Sequence, residues 1–158
     1  TFIGPRNVIK AFKQLAEPIN NAVLLEAGDS IQLGDITLTG TFCIPNKDAV
    51  LDSIGIIFQQ NGKTIYHSGD TGYHFILEYI EKFNINMALI CINGKLGNLT
   101  YQEAFSLCKV FKPQIAVPCH FDMFAGNQEN PELFCQLVEN DNMGMKAIIP
   151  ELGEPIIF

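Results

Sequence analysis

Apolar positions change their spacing along this chain, and the changes mark out its elements. Val8, Ile9, Phe12, Leu15 and Ala16 recur at helical spacing behind Gly4-Pro5. This predicts a helix with Pro5 at its first position, where a missing N–H costs nothing. Pro18 and the Asn20-Asn21 pair end it. Residues 22–25 read as a short strand, Glu26-Ala27-Gly28-Asp29 as a turn, and residues 30–33 and 36–42 as strands joined at Gly34-Asp35. Residues 44–53 carry Pro45, Asn46, Lys47, Asp48 and Asp52 and read as an irregular loop. Then comes the clearest signal. Gly55-Ile56-Ile57-Phe58 and Thr64-Ile65-Tyr66 flank Asn61-Gly62, an apolar–turn–apolar pattern that predicts a hairpin.

The second half alternates. Residues 74–83 are expected to be helical, with Phe75, Ile76, Tyr79, Ile80 and Phe83 on one stripe. Residues 87–92 form a continuous apolar run, the mark of a strand covered on both faces. Thr100 with Glu103 three residues on predicts a capping box, followed by Ala104, Leu107, Cys108 and Phe111 on the buried side of a helix. Residues 115–118 read as a buried strand. Pro131 starts a last helix that turns Phe134, Leu137 and Val138 inward and stops at Gly144. Residues 147–149 and 155–158 are expected to be closing strands. Strands first, then helix and strand in alternation, predict an α/β fold: a mixed sheet with helices on it, within one domain.

Composition narrows the partners. The chain has 158 residues, ten of them Lys or Arg, with a formal charge of -7. The basic residues are scattered, so a nucleic-acid partner is not expected. No apolar run is long enough to cross a bilayer and the N-terminus lacks a signal-peptide layout, which argues against a membrane partner and for the cytoplasm. Cys43, Cys91, Cys108, Cys119 and Cys135 form no Cys-x-x-Cys pair and read as reduced thiols. The chain opens on Thr1, and Phe2-Ile3-Gly4-Pro5 reads like a strand entering a helix, so a longer parent chain is expected.

The candidate chemistry lies where strands end. His67-Ser68-Gly69-Asp70-Thr71-Gly72 follows the hairpin and presents the Asp70 carboxylate between glycines. Taken alone, the same residues also make an ordinary turn and helix cap. Some fifty residues on, Cys119-His120-Phe121-Asp122 follows the strand at residues 115–118. A carboxylate and an imidazole at two strand ends can converge on one metal ion, and binding sites in α/β sheets form at such ends.

These residues resemble a known family. Tyr66-His67-Ser68-Gly69-Asp70-Thr71, then Ile92-Asn93-Gly94, Gly97-Asn98-Leu99-Thr100, and Val117-Pro118-Cys119-His120-Phe121-Asp122-Met123-Phe124 are similar, in that order, to motifs of the metallo-β-lactamase superfamily. Within it they look most like the metal-dependent hydrolase branch that contains L-ascorbate-6-phosphate lactonase. The resemblance implies an αββα sandwich. It implies Asp70 as the carboxylate that bridges two metal ions and His120 as the last His ligand, both catalytic. It implies His67 in support behind them, and Asn98, Asp122 and Asn127 near the substrate. It implies Zn or Mn as cofactor, and lactone or ester hydrolysis by a metal-bound hydroxide, whose parent water has its pKa lowered from about 15.7 towards roughly 7.

One motif of that family has no match here. The histidines are His67, His74 and His120, and no His-x-His-x-Asp-His occurs. The expectation is therefore that residues 1–158 are the C-terminal part of a larger hydrolase and are inactive alone. A missing N-terminal half or a second copy would then cover the exposed apolar surface. Phosphodiester hydrolysis is one alternative. A non-catalytic interaction or regulatory domain is another. A Cys119–His120 nucleophile pair is a third, disfavoured because neighbours on a strand point to opposite faces.

Overall fold

The computed structural model describes residues 1–15, 21–44 and 51–158. Two short strands, β1 (Phe2–Gly4) and β2 (Ala22–Leu24), pair in parallel around helix α1 (Arg6–Leu15). The main sheet has seven strands in sequence order. Strands β3 (Ser30–Leu33), β4 (Ile36–Phe42), β5 (Ile54–Gln60) and β6 (Lys63–His67) run antiparallel to their neighbours. Strands β7 (Met87–Cys91), β8 (Ile115–Cys119) and β9 (Lys146–Ala147) then continue parallel to β6. The sheet is mixed, as expected. The Asn61-Gly62 turn closes the β5–β6 hairpin with both residues at positive φ, 50° and 74°. That conformation is why Asn-Gly is found there.

Parallel strands need crossovers, and these supply the helical layer. A 3-10 segment (Phe75–Phe83) links β6 to β7, α2 (Tyr101–Phe111) links β7 to β8, and α3 (Pro131–Asn140) links β8 to β9. They pack on one face of the sheet. Leu77, Ile80, Leu107, Phe111, Phe134 and Val138 meet Ile57, Tyr66, Ala88 and Ala116 in one buried cluster. The α2 capping box forms as its sequence predicts, with Thr100 and Glu103 each bonding the other's backbone. The opposite face of the sheet has a thinner cover. Met87, Ile115 and Val117 are buried there, Ile65, Leu89, Ile148 and Ile156 are half-buried beside them, and Phe58 is exposed. Among the described residues, no helix is long and apolar enough to cross a membrane.

Several local expectations are corrected. Residues 75–83 are helical, as expected, but in the tighter 3-10 form, and only part of the expected stripe, Tyr79, Ile80 and Phe83, packs on the core. With three residues per turn the inward stripe is Leu77, Ile80 and Phe83, so Phe75 and Ile76 face solvent. A 3.6-residue period had placed them inward. Pro5 precedes α1 instead of opening it, and its carbonyl accepts the Ile9 N–H at 3.0 Å. Residues 155–158 pair with no strand. Pro155 lacks a ladder donor, and the tail lies against the sheet, where Ile156 joins the second cluster and Lys63 Nζ sits 5.2 Å from the Phe158 ring centre. The expected end of the first helix, at Ala16 to Asn20, and most of the 44–53 loop lie outside the described residues.

Candidate metal centre

Strands β6, β7 and β8 are parallel, so their C-terminal ends lie at one edge of the sheet: β6 ends at His67 opposite Leu89, and β7 and β8 end side by side two residues further on, at Cys91 and Cys119. The loop after β6 is built around Ser68, which is fully buried. The Ser68 N–H continues the sheet to Leu89 O at 2.9 Å, and its Oγ accepts the Cys91 N–H at 3.0 Å. Gly69 then turns the chain at φ 62°, where an added Cβ would stand 2.8 Å from Ile54 O. Thr71 locks the far side: its Oγ accepts the Ile44 N–H at 2.8 Å and its carbonyl accepts the Leu99 N–H at 2.8 Å. Asp70 is thus held between two anchored residues while its side chain stays 56% exposed.

Two strands away, His120 follows β8 with φ 57°. Left-handed backbone at a residue other than glycine costs about 1–3 kcal/mol and persists where the surroundings enforce it, often at functional sites. The two side chains meet: His120 Nε2 lies 3.0 Å from Asp70 Oδ2. They open on a cavity of about 410 Å³ lined by His67, Asp70, Cys91, Cys119, His120 and Asp122, among others. A larger hollow, about 590 Å³, lies at the other end of the strands around Asp35, Asn61 and Asn84, and no His or Cys lines it. The smaller one holds the reactive groups.

Asp122 lines the cavity. Asn98 and Asn127 are buried, at 6% and 7% exposure, and are not among its lining residues. His67 stands at its edge. Its Nδ1 accepts the Gly69 N–H at 3.0 Å, which requires that nitrogen to be unprotonated. Partial burial of the ring lowers the His67 pKa below the ordinary 6.5, with the Asp70 charge opposing. Cys119 forms no bond with His120, and burial pushes its thiol up to about 12. Cys43 is likewise raised to about 12, and its Sγ donates to Ser68 O at 3.1 Å. Thiols so raised stay protonated at neutral pH and are weak nucleophiles. This disfavours a Cys119–His120 nucleophile pair. The sequence reading passed over Ser68. Its only signal is a small hydroxyl residue flanked by a strand end and a glycine.

Carboxylate and imidazole suit Zn or Mn. The His120 ring has Nε2 on Asp70 and the other nitrogen, Nδ1, buried without a hydrogen-bond partner. Among the described residues no third His, Cys, Asp or Glu completes a cluster. The pair therefore fits a divalent cation as part of a ligand set and not as the whole of it.

Comparison with known proteins bears on the family and the fold. Residues 2–121 match the family model described as a beta-lactamase superfamily domain. The chain belongs to the metallo-β-lactamase superfamily. A UPF0173 metal-dependent hydrolase of Thermoplasma acidophilum is 38% identical over 96 residues, 60% of this chain and 42% of that protein. One from Staphylothermus marinus is 30% identical over 139 residues, 81% of this chain and 60% of that protein. The chain thus spans about half the length of the relatives it matches. The structure of Igni18, a metallo hydrolase from Ignicoccus hospitalis, superposes with a TM-score of 0.83 at 23% identity, over 98% of this chain and 66% of that one. That likeness concerns the fold.

Two measurements test the loop's construction. Gly55 of β5 lies beneath it, and a Cβ there would stand 2.8 Å from Ser68 O and 2.9 Å from His67 O. Gly55→Ala is expected to cost about 1–3 kcal/mol in chemical denaturation, because backbone cannot move aside. An unchanged midpoint would show that the loop is not seated as described. The second test is acid. The folded pKa of His67 is lowered, so the unfolded chain binds the proton more readily and stability rises with pH. The contribution is complete above the unfolded value of 6.5 and lost as pH falls through the lower folded value. An NMR titration of His67 is expected to have its midpoint below 6.5.

Proposed function

We propose that the chain is the C-terminal portion of a metal-dependent hydrolase that opens lactones or simple esters. Asp70 and His120 would supply two of the donors to a Zn or Mn site. The observation that carries this reading is the 3.0 Å approach of Asp70 Oδ2 to His120 Nε2 across two strand ends, at the mouth of a cavity in this family's fold. A divalent cation bound there supplies Lewis acidity, which polarises a carbonyl and acidifies water. The chain's own residues do the rest. Asp70 keeps its carboxylate open to the cavity. His67, held neutral, buttresses the Asp70 loop through Gly69. Asp122 lies on the cavity wall, where it can accept hydrogen bonds from substrate hydroxyls.

The remaining donors belong, in this reading, to an N-terminal segment of the same protein. That segment would lie against the sheet face that carries Met87, Ile115, Val117 and the exposed Phe58. Two donors from this chain are fewer than the three protein ligands of most catalytic sites, so residues 1–158 alone are expected to turn over little or nothing. The test is elemental analysis of the full-length protein with a panel of lactones, esters and phosphodiesters. One or two equivalents of Zn or Mn with lactone or ester turnover supports the reading. A protein free of metal, or one that cleaves only phosphodiesters, overturns it.

A further inference from the structure

Asp70 and His120 follow strands β6 and β8, with β7 between them. Neighbouring strands lie about 4.8 Å apart, so the two loops are about 10 Å apart at their roots. The loop after β7, residues 93–99, fills the gap and bonds to both sides. On the Asp70 side, the Leu99 N–H donates to the Thr71 carbonyl at 2.8 Å. On the His120 side, Asn93 Nδ2 donates to Asn127 Oδ1 at 2.9 Å, and Lys95 Nζ donates to Gln128 O at 2.9 Å. The middle loop is itself closed by Gly94 N–H to Leu99 O at 2.8 Å. The His120 loop is closed by Glu129 N–H to Phe121 O at 2.8 Å.

The Asn93–Asn127 bond is the buried side-chain-to-side-chain member of this set. Asn93 is 1% exposed and Asn127 is 7%. Moreover, Asn93 Oδ1 is buried with no partner. A buried amide with an unsatisfied oxygen is unfavourable, and a packed apolar pair would avoid that cost. Core filling does not account for it. Directionality does, because a side-chain hydrogen bond sets a separation and an angle that apolar contact leaves loose.

We propose that Asn93 and Asn127 are positioning residues that set the separation of Asp70 and His120 through the β7 loop. The proposal rests on the reading of Asp70 and His120 as cation ligands. His120 needs such an anchor. Its left-handed backbone is strained, and seven residues further on Asn127 pins the loop that holds it in place. The chain of contacts from Asp70 runs through Thr71, Leu99, the closed 93–99 loop, Asn93 and Asn127.

The test uses the full-length protein with Zn and Mn, each titrated against a competing chelator. Asn127→Leu removes the bond and keeps the branched shape of the side chain. It is expected to weaken cation binding about ten- to a hundredfold, the range for partners that orient a ligand. Val138→Ala, in the core of α3, is the control: it lowers Tm and leaves cation affinity within about threefold of the parent. If Asn127→Leu does not fold, Asn127→Ser is expected to show the same loss without overpacking. Equal affinity in the parent and the Asn127 variants overturns the proposal alone. So does a loss no larger than that of Val138→Ala. A parent protein that binds neither cation overturns the functional reading, and the proposal falls with it.

Discussion

Asp70→Ala and His120→Ala are each expected to lower the Zn or Mn affinity of the full-length protein by more than about a hundredfold. That exceeds the ten- to hundredfold cost of losing a group that merely orients a ligand. Turnover is expected to vanish with it. The fold should not notice. The Asp70 side chain is 56% exposed, and exposed ion pairs contribute about 0–1 kcal/mol. Measured without metal, the Tm of Asp70→Ala should therefore stay within a few degrees of the metal-free parent, while cation affinity drops. This separation is what distinguishes a ligand from a structural carboxylate. Full metal content in Asp70→Ala would remove Asp70 from the site. A large loss of Tm in the metal-free Asp70→Ala protein would make the His120–Asp70 contact a strut and not a binding pair.

Phe134→Ala is expected to show the opposite pattern. Phe134 is fully buried in α3, among the side chains of the core between helices and sheet. Truncating a buried Phe costs about 3–5 kcal/mol, set against a total stability of about 5–15 kcal/mol for a domain. Urea denaturation should show a large fall in midpoint. The change lies at a sensitive place. α3 begins at Pro131, capped by Asn130, whose Oδ1 accepts the Glu132 N–H at 2.9 Å directly after the His120 loop. Phe75→Ala is the comparison. Phe75 is 69% exposed, and its loss is expected to cost within about 0.5 kcal/mol. Equal effects from the two would mean that α3 is not packed as described.

Much of this was readable before any coordinates. The Asn61-Gly62 hairpin, the Thr100–Glu103 capping box and the buried side of α2 all formed as expected. Each is a local rule, in which a few adjacent residues carry the whole energetic preference. The errors arose where the rule depended on something distant. Residues 75–83 have apolar side chains at both three- and four-residue spacing, so the pattern fits two helix types. Leu77, Ile80 and Phe83 docked on the sheet select the tighter one. The tail at 155–158 has strand-like residues, but a strand needs a free edge and donors in register. Pro155 and the two-residue β9 supply neither.

The chain's sequence by itself determined a mixed α/β fold, its main elements and two residues worth testing. Asp70 and His120 stood out because each follows an apolar run, and binding sites in α/β sheets form at such strand ends. Only the tertiary structure decided that they meet at 3.0 Å, since fifty residues of sequence separation carry no distance. It also decided that Asp122 lines the cavity whereas Asn98 and Asn127 are buried and do not line it. In sequence these three are equivalent polar loop residues. In space, parallel pairing places the ends of β6, β7 and β8 at one edge of the sheet, and the loop between the outer two sorts what reaches the cavity from what holds it in shape. Sorting of this kind depends on which loops stack, and stacking follows from strand order, which no single stretch of the chain encodes.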